Sequence, residues 1–545
     1  DELERSGRRA AARGGVAAAA AFLERSAALT ADRHRRLTRQ IDAVQALLDS
    51  GSHEAALAIA DQADRGPLDE RQRAVLQKLR AQIAFAVHGG GELPALLAAA
   101  QRLEAFYVDD ALDLYVDLVT AALLGSRGDS GWSTTEVARA VLRAPIPATS
   151  RSGALLRAIA LLYLEGHRAA VPSVQRALAA FDDDEVEPGE AIRLHFLAGA
   201  TAVALWDEET WARLSAQHLD AVRRSGALSA LPIALSTQAV VDVHFGNLAS
   251  ATRITEEARA FRAASGSQVP LYADAAVIAF RGNDPDAAAR ILDIRDEAAE
   301  RNEPIGATMV AWAHAMLCNG LGRYRDAVAV RRDGSAVPAK ELAVVMWWTI
   351  ELVEAAVHAA EMTLAHEAFE RLASVTAPCP GEWAAGITAR SRALLAEGGD
   401  AEALYREAIT LLAGTRHRPD LARARLLYGE WLRRQGRRGE ARRLLRTAHD
   451  AFEELGMGAF ADRARRELSA TGERVRPRTR HAPPELTEQE VHIARLAAEG
   501  LTNLDIATEL FISPRTVEWH LGKVFAKLGV TSRRDLGRLA GTPPT

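Results

Sequence analysis

Cysteine is nearly absent from this chain: 545 residues hold two, Cys318 and Cys379. So few exclude a disulfide framework, fit a reducing cytoplasm, and read as two core thiols. Lysine is almost as scarce, with four among 67 basic residues, so positive charge is carried by arginine. Long apolar runs are missing too. The longest is the eight residues Val16 to Leu23, far short of the ~20 that span a bilayer, and no membrane partner is expected. Asp1, Glu2 and Glu4 precede that run and Glu24 closes it, which argues for an alanine-rich helix and against a signal peptide.

The chemistry of catalysis is equally thin. The sequence has no His-Glu-x-x-His pair, no serine elbow and no paired-cysteine metal site, and its fifteen histidines are scattered. A phosphate-binding loop needs Gly-Lys followed by Ser or Thr. The single Gly-Lys pair, Gly522 and Lys523, runs into Val524. No catalytic residue, metal or cofactor is expected in this chain, and an enzyme ranks below the two readings given at the end of this section. Gly89, Gly90 and Gly91 could cradle an anion, but without a preceding strand a connector is favoured.

Strand-like alternation is almost absent from the first 468 residues, and helix formers dominate. Glycines recur there with a small residue five positions on: Gly51 with Ala56, Gly246 with Ala251, Gly282 with Ala287, Gly322 with Ala327, Gly398 with Ala403, Gly436 with Ala441. The step is close to 38 residues, and Gly90, Gly166, Asp207 and Thr363 fill the gaps as degenerate members, giving about ten or eleven helical hairpins. In the last unit Gly429, Gly436, Ala441 and Ala448 fall at the small-residue spacing of a tetratricopeptide repeat, where two antiparallel helices approach closely. Such units stack into a superhelix whose concave face can hold a protein or a small ligand. The adjacent Trp347 and Trp348 cannot share one helix face; one is expected in the core, and a place on the concave face is the less favoured reading for the other.

Residues 469–485, SATGERVRPRTRHAPPE, lose the apolar period and read as a basic, proline-containing linker. Arg474, Arg476, Arg478 and Arg480 either add phosphate contacts or form a solvated tether. Residues 486–545 then read as a helix-turn-helix module. Thr487 with Glu490 forms a capping box, and Gly500 can take the left-handed turn that ends the first helix. Thr502 with Asp505 repeats the box, and Leu504, Ile506, Ala507 and Leu510 give the second helix its apolar stripe. After the turn at Phe511 and Ile512, Ser513 caps a third helix with Pro514 at its first position. Val517, Leu521, Val524, Phe525 and Leu528 face the other helices. The open face carries Arg515, Glu518, Trp519, Gly522 and Lys523, as a helix reading the major groove would. Net charge is -5. From Ser469 onward eleven basic residues oppose nine acidic ones, leaving +2 there and -7 before it. So weak a field predicts poor binding by one module and a need for dimer or higher assembly.

The module resembles the effector domain of the LuxR family of bacterial transcription regulators. Leu486, Thr487, Glu490, Gly500, Asn503, Ile506, Ala507, Leu510, Ser513, Thr516, Val517, His520, Lys527, Leu528, Val530 and Arg533 fall in the family's pattern at its spacing. The resemblance implies a four-helix domain whose third helix enters the major groove, with Thr502, Asn503, Ser513, Arg515, Thr516, Glu518, Trp519, His520, Lys523, Lys527 and Arg533 as its DNA-contacting set. Packing, capping or phosphate contact all stay open for His520. A fourth helix, near Arg533 to Ala540, would pair two subunits through Leu536 and Leu539. Members often carry Lys at the position of Glu518 and a polar or basic residue at that of Gly522, so no base preference carries over.

Joined to a helical-repeat region, the module is similar to the large ATP-binding regulators of that family, as are the stretches Arg8 to Thr30 and Gly66 to Ala86. Those proteins carry an ATPase ahead of the repeats, so ATP is expected only for an upstream domain missing from this chain, which opens on Asp1 in what reads as mid-helix. The expected architecture is all-α: a tetratricopeptide-like superhelix over 1–468, the linker, and a four-helix LuxR-type domain. The expected function is a cytoplasmic DNA-binding transcription regulator, an activator by resemblance. Its expected partners are double-stranded DNA, a second copy of itself, RNA polymerase, and an inducer or protein ligand on the repeats. The competing reading is a repeat scaffold that acts through protein binding.

Overall fold

The computed structural model describes residues 2–11, 16–88, 93–104, 107–124, 134–182, 186–265, 271–300, 303–329, 344–473, 488–498, 500–509 and 514–528. Among them every regular element is an α-helix, twenty-eight in all. None is long and apolar enough to cross a membrane. The chain divides into two compact units, residues 1–473 and 474–545. Ser469 and Ala470, read as the start of the linker, are the last residues of the helix Gly458–Ala470. The glycine run 89–91 and the linker arginines lie outside the described residues.

In the first unit consecutive helices pack as antiparallel neighbours, such as Leu231–Phe245 on Leu248–Ser265 and Arg418–Arg434 on Arg438–Leu455. The glycines singled out by spacing sit at the corners. Gly51, Gly246, Gly282, Gly322, Gly398 and Gly436 all have positive φ, which a residue without Cβ adopts at no steric cost. Where two repeats lack that glycine, Trp206 (φ 62°) and Ala360 (φ 63°) hold the left-handed corner instead. Those corners lie one and three residues before the positions read as Asp207 and Thr363. The small partners Ala56, Ala251 and Ala441 are fully buried, whereas Ala403 is exposed and Ala401 takes the buried place.

Close helix approach explains the need for small residues. A Cβ added at Gly429 would stand 2.7 Å from Leu445 Cγ, and one at Gly386 would stand 2.7 Å from Leu412 Cγ.

The array also turns back on itself, which local spacing does not reveal. Leu231–Phe245 packs on Arg418–Arg434, and both Ala273–Arg281 and Pro304–Leu321 pack on Gly458–Ala470. A Cβ at Gly282 would meet Ala459 Cβ at 2.6 Å. Between these turns the concave side is filled. Five of the nine tryptophans gather there with two histidines: Trp211 stacks on Trp383 at 6.1 Å, Trp312 on His244 at 5.2 Å, and Trp383 on His417 at 3.7 Å. Trp206 packs edge-on against Trp383, and Trp347 lies 4.3 Å from His244. Trp347 and Trp348 are both buried, so neither lines an open groove.

Beside the rings lies a buried ion network. Arg423 donates to both oxygens of Glu351 (2.6 and 2.8 Å) and to Glu354 (2.6 Å). Arg463 donates to both oxygens of Glu430 (2.8 and 2.9 Å), to Glu354 (2.6 Å) and to the Asn319 carbonyl (3.1 Å). These five charged residues are at most 3 % exposed. Burial alone would push the Glu354 carboxyl up, but Arg423 and Arg463 hold it well below the usual range. A cavity of about 20 Å³ separates rings and charges, room for about one water.

Ala441→Trp is expected to cost about 1–3 kcal/mol by overpacking. Because the array closes, hydrogen exchange should rise not only in Arg418–Arg434 and Arg438–Leu455 but also in Leu231–Phe245. A rise confined to the last helix pair would show that the repeats act as a linear stack.

Candidate nucleic-acid interface

The second unit is built on three described helices, Glu488–Ala498, Asn503–Glu509 and Pro514–Leu528. Their shared core is Ile493, Leu496, Ala497, Ile506, Ala507, Val517, Leu521 and Val524. The first helix ends as a glycine-terminated helix should: Gly500 has φ +93° and the Leu501 amide donates to the Leu496 carbonyl at 3.2 Å. The second starts with a reciprocal capping box. Thr502 N–H donates to Asp505 Oδ2 at 3.0 Å, the Asp505 amide donates to Thr502 Oγ1 at 3.3 Å, and the Thr502 hydroxyl donates to Asp505 at 2.6 Å. Those bonds hold the Asp505 carboxyl below its usual range. Leu504, expected in the apolar stripe, is 66 % exposed instead. With only two helical turns, the second helix turns Ile506 and Ala507 inward, and Leu504 falls outside the narrow face they define.

Pro514 opens the third helix, where its missing amide costs no hydrogen bond. Val517, Leu521 and Val524 sit at i, i+4 and i+7 and are all buried, so the opposite face is open. Glu518 and Gly522 lie on that open face and are exposed. A Cβ added at Gly522 would have no heavy atom within 4 Å, so this stretch of the face presents backbone. Helical register places positions 515, 519 and 523 on the same face. The side chains of Arg515, Trp519, Lys523 and Lys527 lie outside the described residues, as do Thr487, Ser513, Arg533, Leu536 and Leu539 and the expected fourth helix. Thr502 is exposed, and Asn503, Thr516 and His520 are half-buried at the edge between core and open face.

Residues 484–540 match the family described as bacterial regulatory proteins, luxR family. The C-terminal unit holds a luxR-family helix-turn-helix domain. Its relatives are regulators. Over 78 residues the chain is 49 % identical to an HTH-type transcriptional regulator of Mycobacterium bovis, covering 14 % of this chain and 8 % of that protein. Over 88 residues it is 33 % identical to the HTH-type transcriptional regulator AlkS of Alcanivorax borkumensis, covering 16 % of this chain and 10 % of that one. The chain thus spans a tenth or less of these curated relatives, and each likeness covers 16 % or less of this chain. Among solved structures, the APC/C hetero-tetramer Cut9-Hcn1 aligns over 99 % of this chain and 96 % of that one, at 13 % identity and a TM-score of 0.33.

Proposed function

We propose that the chain is a DNA-binding transcription activator in which the luxR-family domain reads a duplex and the repeat array receives the signal that governs it. The observation that carries this reading is the family match at residues 484–540, over a unit whose third helix buries Val517, Leu521 and Val524 and leaves Glu518 and Gly522 open. A helix exposed along one face by a three-helix core is the shape that enters a major groove. The chain acts as a dimer or higher assembly, because a domain with a charge near +2 gains little from phosphates alone. Sequence-selective duplex binding by the full chain, weakening steeply with salt, tests the proposal. A chain whose affinity is indifferent to sequence would instead support a scaffold.

Glu518 is the position to probe for base reading. An exposed carboxylate there accepts from a cytosine amino group, whereas Lys donates to guanine. Glu518→Lys is expected to change the motif selected from a randomised duplex pool, by about 1–3 kcal/mol at one base pair. Recovery of the parent motif with only a uniform change in strength would remove Glu518 from the reading face.

A further inference from the structure

The cavity of about 20 Å³ beside the tryptophans admits no more than a water, but the earlier repeats frame a larger, half-open one of about 280 Å³. Helices spanning 33–49, 70–88, 93–103, 108–124, 188–204, 208–225 and 231–245 contribute to its walls, which are largely apolar and include Leu48, Leu96, Ala121, Phe196 and Ile233.

The polar groups among those walls are unevenly matched. Lys78 Nζ lies 3.3 Å from Asp117 Oδ2, and Gln82 Nε2 donates to the same oxygen at 3.1 Å. Arg193 is taken by Asp113. Asp49 is left with a single neutral side-chain donor, Gln45 Nε2, at 2.9 Å. Two more groups lack partners: Gln82 Oε1 and His218 Nδ1 are buried without a hydrogen bond. Burial holds the His218 ring neutral, its pKa lowered to about 4, while the Ile192 backbone bonds the ring. Burial likewise pushes the Asp49 carboxyl up to about 6, against the lowering pull of the Gln45 bond and of Lys78, whose ammonium is already held by Asp117. A carboxylate, an amide oxygen and an unpaired nitrogen of a neutral imidazole all accept. The missing complement is a donor, and an ammonium supplies three N–H bonds and a positive charge at one point.

We propose that this cavity binds a small organic ammonium compound, its apolar body against Leu48, Phe196 and Ile233 and its cationic nitrogen on Asp49. The inference builds on the reading of the repeat array as the part that receives a signal, and it names the chemistry of that signal. An anion would face Asp49 while the two cations of the lining, Lys78 and Arg193, are already held by Asp117 and Asp113, and a purely apolar ligand would bury the unmatched acceptors still deeper.

The test uses the full chain and three molecules of similar shape: 2-phenylethylammonium, 3-phenylpropanoate and 2-phenylethanol. Calorimetric titration and thermal melting should show the ammonium compound binding and raising Tm, with the other two weaker by about tenfold or more. Asp49→Asn keeps the shape of the side chain and should weaken the ammonium compound by about tenfold or more without lowering the Tm of the unliganded protein. Ala121→Leu, which fills the cavity from an apolar wall, should abolish binding by a separate route. Failure of the ammonium compound to bind, equal binding of the anion or the alcohol, or unchanged affinity in folded Asp49→Asn would each overturn the proposal. Duplex affinity measured with the cavity saturated separates the two levels. If it does not change while Asp49-dependent binding holds, the site stands and the signal-receiving reading of the array falls.

Discussion

Arg463→Met is expected to destabilise the first unit by about 3–5 kcal/mol, the largest single effect anticipated in this protein. The guanidinium makes five hydrogen bonds, two to Glu430, one to Glu354, one to the Asn319 carbonyl and one to His358 Nε2. Its removal leaves carboxylates buried with fewer partners. Three glutamates already face two arginines in this network, and beside them only the His358 ring, 3.8 Å from Glu430, could take up a proton in the arginine's place. Most of the cost is therefore the penalty for an uncompensated buried charge, and not the net worth of the bonds lost. Adding Glu430→Gln to Arg463→Met should recover part of the loss, because it deletes one of the stranded charges. Denaturant midpoints of the two variants and of Glu430→Gln alone give the coupling. A loss below about 1 kcal/mol in Arg463→Met would show that water reaches the network and replaces the arginine.

Mild acid should be nearly as damaging. His218 and His244 are buried, and burial lowers both rings to about 4. Each therefore binds its proton more readily in the unfolded chain, where its pKa is about 6.5. Stability from these rings is complete above about pH 6.5 and is lost as pH falls from there toward 4. At pH 5 the loss is about 2 kcal/mol for each ring. Melting curves between pH 7 and 5 should show the decline. His244→Phe, which keeps an aromatic ring against Trp312, should make it shallower. An identical pH slope in that variant would remove His244 as a cause.

Local geometry was legible in the sequence because it is set by neighbours in the chain. The corner glycines, the Thr502–Asp505 box, the turn at Gly500 and the core face of Pro514–Leu528 each depend on residues within a few positions of one another. Two corners were placed one and three residues late: Trp206 and Ala360 adopt a conformation that their side chains disfavour, and only the surrounding packing selects it. Leu504 was misplaced because a helix of seven residues offers too few turns for periodicity to tell an apolar edge from an apolar face. The closure of the array, the tryptophan cluster and the cavity around Asp49 were not legible at all. Asp49, Lys78, Asp117 and His218 come from four different helices, and nothing in the local pattern of any one of them records the others.

The closed array also constrains how the protein is made. The Arg416 amide donates to the Glu208 carboxylate across 208 residues of chain, and the early tryptophans Trp206 and Trp211 both pack against Trp383. At about 5–20 residues per second, a ribosome needs roughly 10 to 40 s to make that interval. For much of that time Trp206 and Trp211 lack the late helix that brings Trp383 onto them. The aromatic centre that ties the finished array together is, during synthesis, a sticky surface waiting for its lid, and holding it apart from other nascent chains is work for chaperones.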